Sequence, residues 1–250
     1  MFNIFKKKQR PGLLTGVFPV TTDIHSHILP GIDDGSPDPE TSLQLISGLY
    51  ALGIRKCIAT PHIIGDLYRN TPETINAALL IAKQACIDAG IEMEITAAAE
   101  YMLDDYFMEL LHQKKPLLTL HNNLLLTEIS YTTPPKNLNE MSFSIITEGY
   151  RPVLAHPERY FYFHRNFDEY YRLKELGFHL QVNLLSLTGY YGKTVATAAK
   201  FILKKGLADL VGTDLHHQRH LAAMQDSNNR MIFDKYLSDK KYNDLDDLVI

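Results

Sequence analysis

The sequence predicts an α/β protein built on a seven-stranded (β/α)7 barrel of parallel strands and crossover helices. Three observations lead there. First, a unit of helical pattern, glycine and short apolar strand recurs along the chain, with its glycines at Gly53, Gly90, Gly149, Gly177 and Gly206. Glycine after a helix supplies the left-handed residue that ends it. Second, these strands, one over Leu124–Glu128 and a first over Val17–Ile24 make seven, centred on Ile24, Ile58, Ile95, Leu126, Val153, Leu180 and Val211. Helices separate most of them, so the connections are parallel crossovers. Third, 250 residues is a common length for a single α/β barrel. A closed or nearly closed barrel fits better than an open sheet.

Each element has a local reason. Residues 1–19 form a short basic, partly apolar tail, with Lys6, Lys7, Lys8 and Arg10 in one cluster, and read as a solvated terminus. Residues 20–250 read as one domain, since no linker or low-complexity stretch interrupts them. Asp38 is a helix cap with Pro39 at the first helical position, and Leu43, Ile46, Leu49 and Leu52 fall near one face. The strand after Gly53 runs over residues 54–60. Thr71-Pro72-Glu73 starts the next helix, and Asn166 with Glu169 resembles a capping box for a later one. The remaining strands are expected near residues 91–96, 151–155, 178–182 and 207–213. The polar, acidic stretch from Asp234 to Ile250 reads as a final helix or a partly disordered end.

Composition narrows the function. With 45% hydrophobic and 22% charged residues, the chain can bury a sizeable core. A net charge of −4 and the lack of a basic stripe speak against nucleic acid as the main partner. Cys57 and Cys86 show no pairing pattern, so a reduced, cytoplasmic protein is the simplest expectation. Six residues beyond them stand Ile63 and Glu92 rather than arginine, which excludes the signature of a cysteine-based phosphatase. No apolar run reaches the roughly 18 residues of a membrane span. The oligomeric state is left open, a homo-oligomer included.

The reactive side chains collect at the strand ends. The first strand ends in His25-Ser26-His27, and two histidines one residue apart point to the same face of an extended segment. Asp33 and Asp34 follow on a Gly/Pro-rich loop. The next ends carry His62, Glu100, Glu128, then His156-Pro157-Glu158-Arg159, and Asp214-Leu215-His216. Only the sixth, Gln181-Val182-Asn183, lacks a typical ligand. In a βα barrel these positions share one rim, where active sites sit. Imidazoles and carboxylates without thiolate favour Mn²⁺, Fe or Zn²⁺ in a catalytic site. The ligand set exceeds what one ion needs, and carboxylates such as Glu100 can bridge two cations. Two or three divalent ions could then clamp both oxygens of an in-line displacement and generate hydroxide near neutral pH.

These motifs, in unchanged order from Asp23 to beyond His216, resemble the PHP (polymerase and histidinol phosphatase) superfamily. Within it they are most similar to the bacterial manganese-dependent protein-tyrosine phosphatases of capsule and exopolysaccharide operons, the CpsB/CapC/YwqE type. The resemblance implies a distorted seven-stranded barrel with a trinuclear centre. It implies metal roles for His25, His27, Asp34, His62, Glu100, Glu128, His156, Asp214 and His216. It also implies phosphate contact by Arg159, and by an arginine after the last motif, here Arg219, at a spacing about a residue shorter than the family pattern. A phosphotyrosine protein, a tyrosine kinase of the polysaccharide pathway, is the implied partner. Asp34 or His62 could protonate the leaving group. Tyr101, Tyr131, Tyr160 and Phe161 follow strand ends and could pack a substrate ring. His112, His121, His164, His179, His217 and His220 match no ligand motif. Competing readings are a phosphatase of a small phosphomonoester such as histidinol phosphate, an amidohydrolase, and a non-catalytic metal-binding regulatory domain. Many amidohydrolases place a lysine at a middle strand end, where this chain has Glu100 and Glu128.

Overall fold

A computed structural model of the chain describes residues 18–248. Most of the basic tail, and Val17 of the expected first strand, lie outside the described residues. The order of elements is β1 (Thr22–Asp23), α1 (Pro39–Leu52), β2 (Lys56–Ala59), β3 (His62–Ile64), β4 (Tyr68–Arg69), α2 (Pro72–Asp88), β5 (Glu94–Ala97) and β6 (Glu100–Met102). Then come α3 (Asp105–His112), β7 (Leu124–Glu128), α4 (Leu138–Thr147), β8 (Arg151–Ala155), α5 (Asp168–Glu175) and β9 (His179–Asn183). The last are α6 (Lys193–Lys204), β10 (Leu210–Gly212), α7 (Gln218–Gln225) and α8 (Ser227–Leu237).

The helix starts follow local chemistry. Asp38 accepts from the Thr41 N–H at 2.7 Å, and Pro39 opens α1. Thr71 and Thr74 exchange side-chain and backbone bonds across the first turn of α2. The Asn166–Glu169 box does not form. A short 3₁₀ turn over Phe161–Arg165 precedes it, and Asn166 Oδ1 closes locally on the Asp168 N–H at 3.1 Å, so α5 begins at Asp168. The five glycines of the repeating unit all have positive φ.

Six of the seven expected strand centres lie inside strands, and Ile24 directly follows β1. Two of the expected strands are interrupted. The second splits into β2 and β3 around Thr60-Pro61, where proline has no N–H to give a ladder. The third splits into β5 and β6 around Ala98-Ala99. The pairing therefore divides into a three-stranded sheet β1-β2-β5 and a seven-stranded sheet β10-β9-β8-β7-β6-β3-β4. All pairs are parallel except β3–β4, a hairpin the sequence pattern did not announce. Glu100 N–H donates to Pro61 O at 3.1 Å beside the two breaks, and Asp214 N–H donates to His25 O at 2.8 Å between the two sheets. A lone parallel bridge between Ser26 and Leu215 brings the last strand back to the first. The expected barrel is thus a seven-position ring without a continuous closed ladder among the described residues.

Two apolar layers hold it. Ile24, Ile58, Leu124, Leu126, Val153 and Leu210 belong to a small interior cluster against which Leu245 and Leu248 pack. A larger layer lies between strands and helices. Of the stretch from Asp234 to Ile250, the first residues close α8, Asp246–Leu248 form a 3₁₀ turn, and the last two lie outside the described residues. After α8 the chain returns across the strand starts, where Asn243 Nδ2 donates to Thr22 O at 2.7 Å and Val211 O at 2.9 Å. No helix among the described residues is long and apolar enough to cross a membrane.

Candidate metal centre

The strand ends bring the expected ligands together. His25 and His27 face one another, with Nε2 atoms 3.3 Å apart. Both approach one oxygen of Glu100, at 3.2 Å and 3.3 Å. His62 Nδ1 lies 3.2 Å from that same oxygen and 3.0 Å from Glu128 Oε1. His156 Nε2 reaches the other Glu100 oxygen at 3.0 Å. Asp214 Oδ1 stands 3.5 Å from both His25 Nε2 and His27 Nε2. At the mouth, Asp34 Oδ1 lies 3.5 Å from His62 and 3.7 Å from His216, with the Asp34 side chain 54% exposed. Three groups have donor atoms close enough to share an ion: His27-Asp34-His62-His216, His25-His27-Glu100 and His62-Glu100-Glu128.

Local backbone aims two of these side chains. His156 and Asp214 adopt left-handed backbone, at φ 36° and 51°, one residue past β8 and two past β10. That conformation costs a non-glycine residue about 1–2 kcal/mol, and it breaks the alternation that would otherwise direct a strand-end side chain. His27 is held from behind by Asp33, whose Oδ2 is 2.8 Å from its Nδ1. Burial opposes ionisation of Asp33, but His27 outweighs it and the carboxyl is lowered to about 2. Asp33 thus orients a ligand while Asp34 faces the cleft.

The donor set fits divalent cations. Glu100 is fully buried, yet His25 and His62 hold it well below the usual carboxylate range against the pull of burial. His25 is raised to about 9, since Glu100 and Asp214 overcome its burial. His62 Nδ1 and Glu128 Oε1 are buried without a well-directed hydrogen bond, as expected of lone pairs aimed at a common cation rather than at a proton. A cleft of about 470 Å³ opens above them and is lined by Arg159, Tyr131, Tyr191, Tyr68 and Met102 as well as the ligands. Arg159 Nη1 donates to Asp214 Oδ2 at 2.6 Å, and its guanidinium packs on the Tyr131 and Tyr191 rings.

A family described as capsular polysaccharide synthesis, CpsB/CapC, matches residues 21–245. The chain belongs to this family. Among curated relatives of this CpsB/CapC protein, the tyrosine-protein phosphatase YwqE of Bacillus subtilis is 30% identical over 196 residues, covering 78% of this chain and 77% of YwqE. The tyrosine-protein phosphatase CpsB of Streptococcus pneumoniae is 29% identical over 203 residues, 78% and 82% of the two chains. A solved structure among those of YwqE and CpsB, described as unique metal-dependent tyrosine phosphatases, superposes with TM-score 0.74 at 25% identity, over 89% of this chain and 96% of that one. A histidinol phosphate phosphatase of Lactococcus lactis shares the fold, with TM-score 0.53 at 13% identity over 89% and 93%. The CpsB/CapC resemblance read from the motifs is borne out.

Other expectations separate in the structure of this family member. Arg219 is exposed on α7 and is not among the cleft-lining residues, because α7 begins directly after the last ligand and turns that position to solvent. His217 and His220, which matched no motif, line the cleft instead. Of the four aromatics expected near substrate, Tyr131 lines the cleft. Tyr101 and Tyr160 are buried, their hydroxyls accepting from Leu118 N and Ile129 N, and exposed Phe161 lies outside the lining. Tyr68 and Tyr191 were not anticipated. Tyr68 sits on the unannounced hairpin, and Tyr191 follows a 3₁₀ turn that leaves no periodic signal.

Proposed function

We propose that this chain is a cytoplasmic, metal-dependent protein-tyrosine phosphatase acting in capsule or exopolysaccharide regulation, on a phosphotyrosine protein, a tyrosine kinase of that pathway. The observation that carries this reading is one cleft in which three His/carboxylate groups converge beside Arg159. Membership of the CpsB/CapC family and the activity named for YwqE and CpsB support it. His25, His27, Asp34, His62, Glu100, Glu128, His156, Asp214 and His216 would hold two or three ions, with Mn²⁺ the first candidate and Fe or Zn²⁺ next. When bound, such ions neutralise charge on the phosphate and make an oxygen nucleophile available near neutral pH.

The chain's own residues do the rest. Arg159 spends one N–H on Asp214 and its side chain makes no other hydrogen bond among the described residues, so the remainder of its planar fork would serve phosphate oxygens. Tyr131, Tyr191 and Tyr68 give the cleft aromatic walls for a phenyl ring. His62 has carboxylates at both ring nitrogens, whereas Asp34 stands at the open mouth. Asp34 or His62, whichever is not committed to an ion, would give a proton to the leaving phenolate.

The test is direct. Protein purified without chelator is assayed for bound metal and for hydrolysis of p-nitrophenyl phosphate, phosphotyrosine and phosphoserine peptides, and histidinol phosphate, before and after Mn²⁺ addition. The expected result is Mn²⁺-dependent turnover fastest on the phosphotyrosine peptide. No hydrolysis with added metal would overturn the enzyme reading, and faster turnover of histidinol phosphate would replace the substrate.

A further inference from the structure

The sixth strand position, β9, is the one whose end offers no imidazole or carboxylate. It carries Gln181 and Asn183 instead, both fully buried. Their side chains connect two ligands of the centre. His25 Nδ1 lies 2.8 Å from Gln181 Oε1. Gln181 Nε2 donates to Asn183 Oδ1 at 2.9 Å, and Asn183 Nδ2 donates to Asp214 Oδ2 at 2.7 Å.

The direction of this chain is set from its Asp214 end. Arg159 donates to the same Asp214 oxygen, so that oxygen accepts, and only the amide NH₂ of Asn183 can face it. Asn183 then turns its carbonyl to Gln181, Gln181 must present its NH₂, and the Gln181 carbonyl is left for His25. A carbonyl only accepts, so His25 carries a proton on Nδ1. Its Nε2 lone pair is thereby directed toward Glu100 and Asp214 Oδ1. The same bonds pin Asp214 Oδ2 and leave Oδ1 pointing at both histidines.

We propose that Gln181 and Asn183 are positioning residues of the metal centre, an amide relay that fixes the tautomer of His25 and the rotamer of Asp214 together. The inference rests on the metal reading of the site. Packing supports it independently. β10 lies beside β9 and is bridged to the first strand, so Gln181 reaches across β10 to meet His25. It passes over Gly212, where an added Cβ would stand 2.7 Å from His25 Cβ and 2.9 Å from Gln181 Nε2. On the far side, Asn183 N–H donates to Glu158 Oε1 at 2.9 Å, which fixes the strand end that carries both amides.

The experiment uses ¹⁵N-histidine-labelled protein loaded with Zn²⁺, a diamagnetic probe, and reads imidazole tautomers by long-range ¹H–¹⁵N correlation. His25 is expected as the Nδ1–H form. Gln181→Met removes the relay and is expected to weaken Zn²⁺ binding about 10–100-fold in chelator competition. Gln181→Glu keeps an acceptor for His25 but cannot donate to Asn183. It is expected to retain the Nδ1–H tautomer and still lose Zn²⁺ affinity through Asp214, a split that loss of packing alone would not produce. A proton on Nε2 of His25 in the Zn²⁺-loaded wild type overturns the proposal alone, and this measurement needs no variant to fold. Wild-type affinity in Gln181→Met also overturns it. Wild-type protein that binds neither Zn²⁺ nor Mn²⁺ overturns the metal reading, and the proposal with it.

Discussion

The two ends of the strands solve opposite problems. At the C-terminal rim, His25, His27 and Glu100 are fully buried side by side, and the backbone of His156 and Asp214 is left-handed. Each feature works against folding, since buried charge and unusual backbone both cost stability. At the N-terminal end, interior leucines meet Leu245 and Leu248, and polar groups pair with near neighbours. Lys174 Nζ donates to Asp209 Oδ2 at 2.5 Å, and Arg151 Nη1 to Leu248 O at 3.1 Å. One end holds a reactive arrangement that the other end makes affordable. Substitutions at the rim should therefore change chemistry, and substitutions at the base should change stability.

The largest expected effect is at Glu100, which touches His25, His27, His62 and His156. Glu100→Ala should lower kcat/KM by at least the ~10²–10³-fold that loss of one transition-state donor costs elsewhere, and bound metal should fall with it. Turnover near wild type would break the rim's claim to the chemistry. Arg159→Ala should follow at about 10²-fold, mostly through weaker phosphate binding. An unchanged KM and kcat would remove Arg159 from the site.

At the base the expected effect is of another kind. Leu124 has no exposed surface and packs in the interior cluster, at the strand end away from the rim. Leu124→Ala should cost about 2–5 kcal/mol of stability, read as a fall in Tm, while kcat measured well below Tm stays near wild type. A variant that kept its Tm and lost its metal would collapse the distinction between the ends.

The sequence carried the rim better than the ring. His25, His27, His62, Glu100, Glu128, His156, Asp214 and His216 are legible because strand ends of a parallel ring share one side, whatever the details of pairing. Pairing itself was less legible. Pro61 was visible, but the matching break at Ala98-Ala99 depends on what the neighbouring strand does, a long-range matter no local pattern records. Gln181 and Asn183 were passed over because amides do not bind metal strongly. Their role arises from a contact across β10 that only the fold supplies. Arg219 shows the reverse case, where a motif position exists but the helix that carries it turns outward. Asp33 and Asp34 are adjacent and alike in type, and burial divides their roles.

The smallest effect gives the sharpest separation. Asp209 accepts from Lys174 Nζ and from the Leu180 N–H at 2.8 Å, at the start of the strands. Burial disfavours its charge, but His179 and Lys174 outweigh burial and hold the carboxyl below its ordinary range. A carboxyl with a lowered folded-state pKa stabilises the protein above its unfolded-state value, and that stability is lost as pH falls through the folded value. Asp209→Asn keeps an acceptor for Leu180 and loses only the charge, so the cost at neutral pH should stay below about 1 kcal/mol. The Tm difference between wild type and variant should be greatest near neutrality and should close below about pH 4. A difference that stays constant with pH would show that shape rather than charge matters there. Activity should not change at any pH where both proteins are folded, because no bond of Asp209 reaches a ligand. A shifted pH–rate profile in Asp209→Asn would mean that the two ends are electrostatically joined.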